Sequence, residues 1–264
     1  MYVCTRQTTV QCNFETVFVQ ERLDNIATMP QISIPNTMLN INISECQIYQ
    51  RLIKLKIEKS PGADSLHPRV FKEVAKEIVP VLKHIFNLSL STGTLPDDWL
   101  CSIVSVIHKK GSHAAVSNYR PISLTCIACK ILESLIRDNI MSFLKQNNLF
   151  SSKQYGFIRG RTSVLQLLTL TDQWSACLEQ GGQIDIIYTD FEKAFDKVPH
   201  RRLLSKLESY GINVVVIKWI EQFLCYRKHR VRINSCYSKW KDVDSGIPQG
   251  SVLGPLLEHQ RPPR

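Results

Sequence analysis

Ile184-Asp-Ile-Ile-Tyr-Thr-Asp190-Phe-Glu-Lys-Ala-Phe195-Asp-Lys-Val-Pro-His200 is the stretch on which the fold turns. Its first six residues are apolar, β-branched or aromatic at most positions, which predicts a buried strand over 184–189. Alternation puts Ile184, Ile186, Tyr188 and Asp190 on one face, with Asp190 where the strand stops. A carboxylate at the carboxyl end of a buried strand is a common metal ligand in α/β folds, and a turn or cap is its other common role. Pro199 then opens an amphipathic helix with Leu203, Leu204, Leu207 and Tyr210, closed by Gly211.

Outward from this stretch, the chain alternates helices and short strands. Ser44-x-x-Gln47 is a capping box that opens a helix with Ile48, Leu52, Ile53, Leu55 and Ile57 toward a core. Lys59-Ser-Pro-Gly62-Ala-Asp64 ends it in a turn. Helices follow near 68–77 and 79–91, then a turn at 93–96. Residues 101–107 alternate as a strand and run into His108-Lys109-Lys110-Gly111. A polar loop leads to Asn118-Tyr-Arg120-Pro-Ile-Ser-Leu124. Lys109 (or Lys110) and Arg120 flank this hairpin as a cationic clamp suited to phosphates.

Residues 127–146 carry a helical apolar stripe. Gln154-Tyr-Gly156-Phe-Ile-Arg159-Gly-Arg161 joins glycines to arginines, so a nucleic acid strand could approach, with Arg159 and Arg161 on phosphates. A helix capped by Ser163 runs to about 179. A second helix covers 213–226, and 227–233 with 239–243 reads as a hairpin around Asn234-Ser235. Arg230, Arg232 and Lys241 alternate with apolar residues as one cationic face. Ser245-Gly-Ile-Pro-Gln249-Gly250-Ser-Val-Leu-Gly254-Pro255 reads as a turn that starts a helix.

The 264 residues carry a net charge of +10, and 44% are hydrophobic. Eleven Lys or Arg lie between 197 and 241 against two acids, Glu208 and Glu221. That imbalance suits a polyanionic partner. The first residues lack the apolar segment of a signal peptide, and no apolar run reaches the roughly 20 residues that span a bilayer. The expectation is an intracellular chain with no membrane partner. The nine cysteines read as reduced core residues. Cys126-x-x-Cys129 has no second pair or histidine nearby, which argues against zinc.

Four of these motifs resemble reverse transcriptases of non-LTR (LINE-type) retrotransposons. They are Asn118–Leu124, Gln154–Ser163, Asp190–His200 and Gly246–Ser251, in the family's order across about 200 residues. Lys-Ser-Pro-Gly-x-Asp and, loosely, 12–18 resemble the family's lead-in. The resemblance implies an α/β (α+β) fold: the helix-rich fingers and partial palm of a right-hand polymerase. It implies RNA-directed DNA synthesis on an RNA template and DNA primer, from deoxynucleoside triphosphates.

By the same resemblance, Asp190 is a catalytic Mg²⁺ ligand, assisted by the carbonyl of Phe191. Lys109 and Arg120 touch the nucleotide phosphates, and Ala194 offers its N–H to the triphosphate. Phe195 crowds a ribose 2′-hydroxyl, while Gln249 and Gly250 floor the nucleotide site. Gln154, Gly156, Arg159 and Arg161 contact nucleic acid, and the cationic face adds Arg230 and Arg232. Asp196 is expected to cap a helix.

The family pattern continues beyond Leu257 to a pair of aspartates. Here the sequence reads Glu258-His-Gln-Arg-Pro-Pro-Arg264. The expected organisation is a lead-in over 1–43, fingers and partial palm over 44–257 with an incomplete palm sheet, and an unrelated tail over 258–264. Two metal ions need several carboxylates. The expectation is therefore a truncated polymerase segment, inactive alone, or else a non-catalytic remnant that binds RNA or an RNA–DNA hybrid.

Overall fold

The computed structural model describes residues 36–259. The lead-in segment at 12–18 and the tail beyond His259 lie outside them. The chain divides into two compact units, one of residues up to 143 together with 193 onward, the other of residues 144–192.

The larger unit opens with α1 (Glu45–Ile53), α2 (Pro68–Glu73), α3 (Ala75–Thr92) and α4 (Asp97–Leu100). The capping box forms: the Ser44 hydroxyl accepts from the Gln47 N–H, and Gln47 Oε1 accepts from the Ser44 N–H. The helix stops at Ile53, earlier than its apolar spacing predicts, and Ile57 is exposed. Only Ile48 and Leu52 are fully covered on α1, against α3. Phe86 and Trp99 meet edge to face, and Trp219 donates to Ser89 Oγ at 2.9 Å. Gly62 lies so close to Cys126 that a Cβ would stand 2.6 Å from its backbone, so the turn after α1 needs glycine there.

β1 (Cys101–His108) and β2 (Tyr119–Leu124) pair antiparallel, and α5 (Ile127–Gln146) follows. The whole apolar stripe of α5 is buried, from Ile127 to Leu144. α6 (Ser163–Glu179) belongs to the smaller unit. Then come α7 (His200–Ser209), α8 (Val214–Leu224), β3 (Lys228–Ile233), β4 (Cys236–Tyr237), β5 (Lys241–Asp242) and α9 (Gly254–His259). β3 lies parallel to β1 on the side away from β2, and β4 and β5 both pair antiparallel with β3. This mixed sheet and its helices are an α/β fold. Among the described residues no helix is long and apolar enough to cross a membrane.

Three expectations are corrected. Residues 184–189 form no strand: Ile187 and Tyr188 are 87% and 86% exposed, and every strand of the sheet belongs to the larger unit. A β-branched run forms a ladder only where a partner offers its backbone, and no described strand pairs with this one. The helix α6 is capped by Thr162, whose side chain accepts from the Leu165 N–H, one residue before the expected cap. Asp196 caps no helix: α7 starts behind Pro199 without a side-chain cap.

Candidate functional site

The β1–β2 tip is held from within. The His108 and His113 rings stack at 3.9 Å, and the Tyr119 hydroxyl donates to the His113 carbonyl. The Lys109 N–H donates to the Asn118 carbonyl at 2.8 Å. That bond continues the Ile107–Arg120 register. Lys109 therefore falls on the face of Arg120, while Lys110 has left the ladder.

The second half of the central motif is joined to the 245–250 loop. The Ile247 N–H donates to the Phe195 carbonyl at 2.8 Å, the Gly246 N–H to the Val198 carbonyl at 3.1 Å, and Ser245 Oγ to the Asp196 carbonyl at 2.9 Å. His200 Nε2 meets the Gly246 carbonyl at 2.6 Å. A carbonyl only accepts, so the proton sits on Nε2 and Nδ1 faces the Cys225 thiol at 3.8 Å. Gly246 has φ +86°, and a Cβ there would stand 2.6 Å from the Asp196 carbonyl oxygen. Only glycine fits so close a backbone crossing.

The same loop docks on β2. The Ser123 N–H donates to the Gln249 carbonyl at 2.7 Å, and a Cβ on Gly250 would stand 2.9 Å from the Ser123 carbonyl oxygen and 3.3 Å from the Ile122 side chain. Ile122 and Arg120 share one face of β2. The 249–250 backbone thus lies along β2, whose Arg120 and Ile122 face one side of the sheet and whose Pro121 and Ser123 face the other.

On the face of the sheet that carries Ser102, Ser123 and His229 is a cavity of about 50 Å³, room for a few waters. Ser102, Ser123, Asp196, Arg227, His229 and Gln249 are among its walls. Burial pushes the Asp196 carboxyl above its ordinary range, against the pull of Lys193 and Lys197. Burial also pushes His229 down to about 4, so it is neutral at pH 7. Arg227 is 1% exposed; its Nη1 donates to the Phe223 carbonyl and its guanidinium lies 4.9 Å from the Phe223 ring.

Behind the loop, Glu133 is wholly buried in α5. Its Oε2 accepts from the Val252 N–H at 2.7 Å and the Leu253 N–H at 3.0 Å. Burial raises its pKa, and those two N–H groups oppose the rise. Glu133, His200 and Arg227 received no specific role in the sequence reading. A signal for Glu133 exists, since it falls on the helical face of Cys129, Ile136 and Ile140. Nearby, burial pushes the Cys126 thiol up to about 12, so it stays protonated at neutral pH.

In the smaller unit, Arg161 closes the 151–160 loop: its Nη1 donates to the Ser151 carbonyl at 2.7 Å and also to the Gln154 carbonyl. Gln154 Nε2 donates to the Gly156 carbonyl, and Arg159 is exposed. Asp190 and Phe191 are exposed too. The remaining predicted nucleotide contacts, Ala194 and Phe195, are half-buried in the larger unit.

The cationic face differs from its prediction. Lys228, Arg230 and Arg232 share one side of β3, but Lys241 pairs with His229 and so belongs to the opposite side. A one-residue bulge between β4 and β5 shifts the alternation.

Among the described residues no three His, Cys, Asp or Glu side chains converge. An exposed Asp190 by itself does not fit a site for two divalent ions, which need several shared carboxylates.

Comparison with known proteins adds to this geometry. The reverse transcriptase (RNA-dependent DNA polymerase) family matches residues 107–260. The chain is 29% identical over 245 residues to the probable RNA-directed DNA polymerase from transposon BS of Drosophila melanogaster, covering 90% of this chain and 26% of that protein. It is 28% identical over 240 residues to the probable RNA-directed DNA polymerase from transposon X-element of the same fly, with 90% and 26% covered. It is 29% identical over 235 residues to the RNA-directed DNA polymerase from mobile element jockey of Drosophila funebris, with 89% and 25% covered. The chain thus spans about a quarter of the length of these relatives. Reverse transcriptases of this kind generally use divalent metal ions. Motifs, fold and relatives agree: the relatives come from non-LTR retrotransposons, and the chain belongs to the reverse transcriptase family.

Proposed function

We propose that residues 44–257 are the fingers and partial palm of a retrotransposon RNA-directed DNA polymerase, built for an RNA template, a DNA primer and deoxynucleoside triphosphates. The observation that carries this reading is the junction of three motifs: 195–200 hydrogen-bonded to 245–247, and 249–250 seated on β2. Lys109 and Arg120 would hold nucleotide phosphates from the shared hairpin face. Ala194 would offer its N–H to the triphosphate, and Phe195, whose carbonyl is fixed by Ile247, would crowd a 2′-hydroxyl. Gln249 and Gly250 would floor the site. Gln154, Gly156 and Arg159 would meet the template, on a loop that Arg161 holds closed.

Asp190, with the Phe191 carbonyl, is a Mg²⁺ ligand only beside carboxylates that the described residues do not supply. In this reading the chain alone does not extend a primer. The test is primer extension on an RNA template with Mg²⁺, using the chain beside Asp190→Ala. The expected result is no extension by either. Extension lost in the variant would overturn the incomplete-site reading.

A second reading is supported by the outward face of β3. There Lys228, Arg230 and Arg232 would hold RNA or an RNA–DNA hybrid without chemistry.

A further inference from the structure

β3 is edged by two short strands in different registers. Arg232 pairs with Tyr237 and Ile233 with Cys236, whereas His229 pairs with Lys241 and Lys228 with Asp242. Between them, Arg230 and Val231 face three residues, 238–240. That is a β-bulge of one extra residue. Ser238 holds it: its N–H donates to the Val231 carbonyl at 2.9 Å, and its hydroxyl accepts from the Val231 N–H at 2.8 Å.

The extra residue decides which side chains share a face. In an unbroken strand, residue 239 would follow Tyr237 on the outward side. The bulge brings Trp240 there instead. The Arg230 guanidinium then lies 4.2 Å from the Tyr237 ring centre and 4.6 Å from that of Trp240. The rings are still 42% and 39% exposed. Lys228 and Arg232 share this face, and Asp242 is the acid that the register adds to it.

We propose that Tyr237, Arg230 and Trp240 form a stacking platform for unpaired bases of single-stranded nucleic acid. This rests on the nucleic-acid-binding reading and names which form of nucleic acid this face takes. The guanidinium fixes both rings before any ligand arrives, so little side-chain freedom is lost on binding. The exposed ring surface offers a π-face that any base can stack on. Lys228 and Arg232 stand on either side of Arg230 along β3, where a bound strand's phosphates would run. Bases stacked inside a duplex have no free face to offer, so the platform selects single strands. Stacking does not read the 2′-hydroxyl, so RNA and DNA strands both qualify.

The test measures fluorescence anisotropy of labelled oligouridylate and oligothymidylate of about 12 nucleotides, within the span of such platforms, against a duplex of equal length. Wild type, Trp240→Ala and Trp240→Phe are compared. Far-UV circular dichroism checks that each is folded. The expected result is about tenfold weaker single-strand binding in Trp240→Ala, unchanged duplex binding, and near-normal affinity in Trp240→Phe. Quenching of intrinsic fluorescence by oligouridylate should shrink in Trp240→Phe, which keeps a ring but loses the indole. Unchanged single-strand affinity in Trp240→Ala, or equal loss for single strand and duplex, overturns the platform and leaves the general reading standing. A wild-type chain that binds neither overturns both.

Discussion

His200 donates from Nε2 to the carbonyl of Gly246 at 2.6 Å, and both residues are buried. One bond thus ties the last residue of the 190–200 motif to the glycine that opens the 246–251 motif, 46 positions on. Phe195 and Gln249 lie within the two segments so joined. The placement of their backbones depends on contacts that take no part in chemistry.

Removing that donor leaves a buried carbonyl unsatisfied. His200→Ala should destabilise the chain by about 2 kcal/mol, read from the urea midpoint at unchanged m-value. His200→Gln, which keeps an N–H donor, should lose less.

Gly246 is under a stricter limit. Gly246→Ala would place its Cβ 2.6 Å from the Asp196 carbonyl oxygen at φ +86°. The expected loss is at least about 2 kcal/mol, from clash and left-handed backbone together. Gly160→Ala is the control: it has φ +86° as well, but nothing lies within 4 Å of its Cβ. Its loss should be only the backbone part, about 1 kcal/mol, by the same melt.

Glu133 holds two N–H groups at the start of α9. Glu133→Ala should cost about 2–3 kcal/mol, because both donors stay buried without an acceptor. Glu133→Gln keeps an acceptor oxygen for these donors, so it should cost less than half as much. Thermal melts of the three proteins at pH 7 check the order.

His229 gives a pH dependence of known sign. Its folded pKa is lowered from 6.5 to about 4 by burial. Between those values the unfolded chain binds the proton more strongly, so His229 lowers stability as pH falls through that window. Above pH 6.5 it has no such effect. The full loss is on the order of 3 kcal/mol. Glu133 and Asp196, with raised values, oppose this trend. The difference between wild type and His229→Gln isolates the histidine: wild type should lose more stability than the variant from pH 6.5 to 4.

Helix periodicity made α5 legible to its ends, because eight apolar residues at helical spacing all reach the core. The capping box at Ser44 was legible for a similar reason, since its bonds span three residues. Residues 184–189 were misread because strand propensity says that a segment suits a ladder, while the ladder itself needs a partner from elsewhere. Lys241 was misassigned because alternation assumes unbroken strands, and one extra residue near 238–240 reverses it. His200 and Glu133 act across 46 and about 120 positions. A single sequence does not encode such pairings in any local spacing. The hydrogen bonds that join the motif strings came only from the structure.

The most direct test of the account is the salt dependence of binding to an RNA template annealed to a DNA primer. It is measured by gel shift with wild type, Asp190→Ala and Arg159→Ala. The account predicts that log affinity falls linearly with log salt concentration, as expected when several phosphates are neutralised. It predicts that Asp190→Ala binds as wild type does, and that Arg159→Ala lowers the slope by about one. No binding at low salt, or binding that salt leaves unchanged, would contradict it.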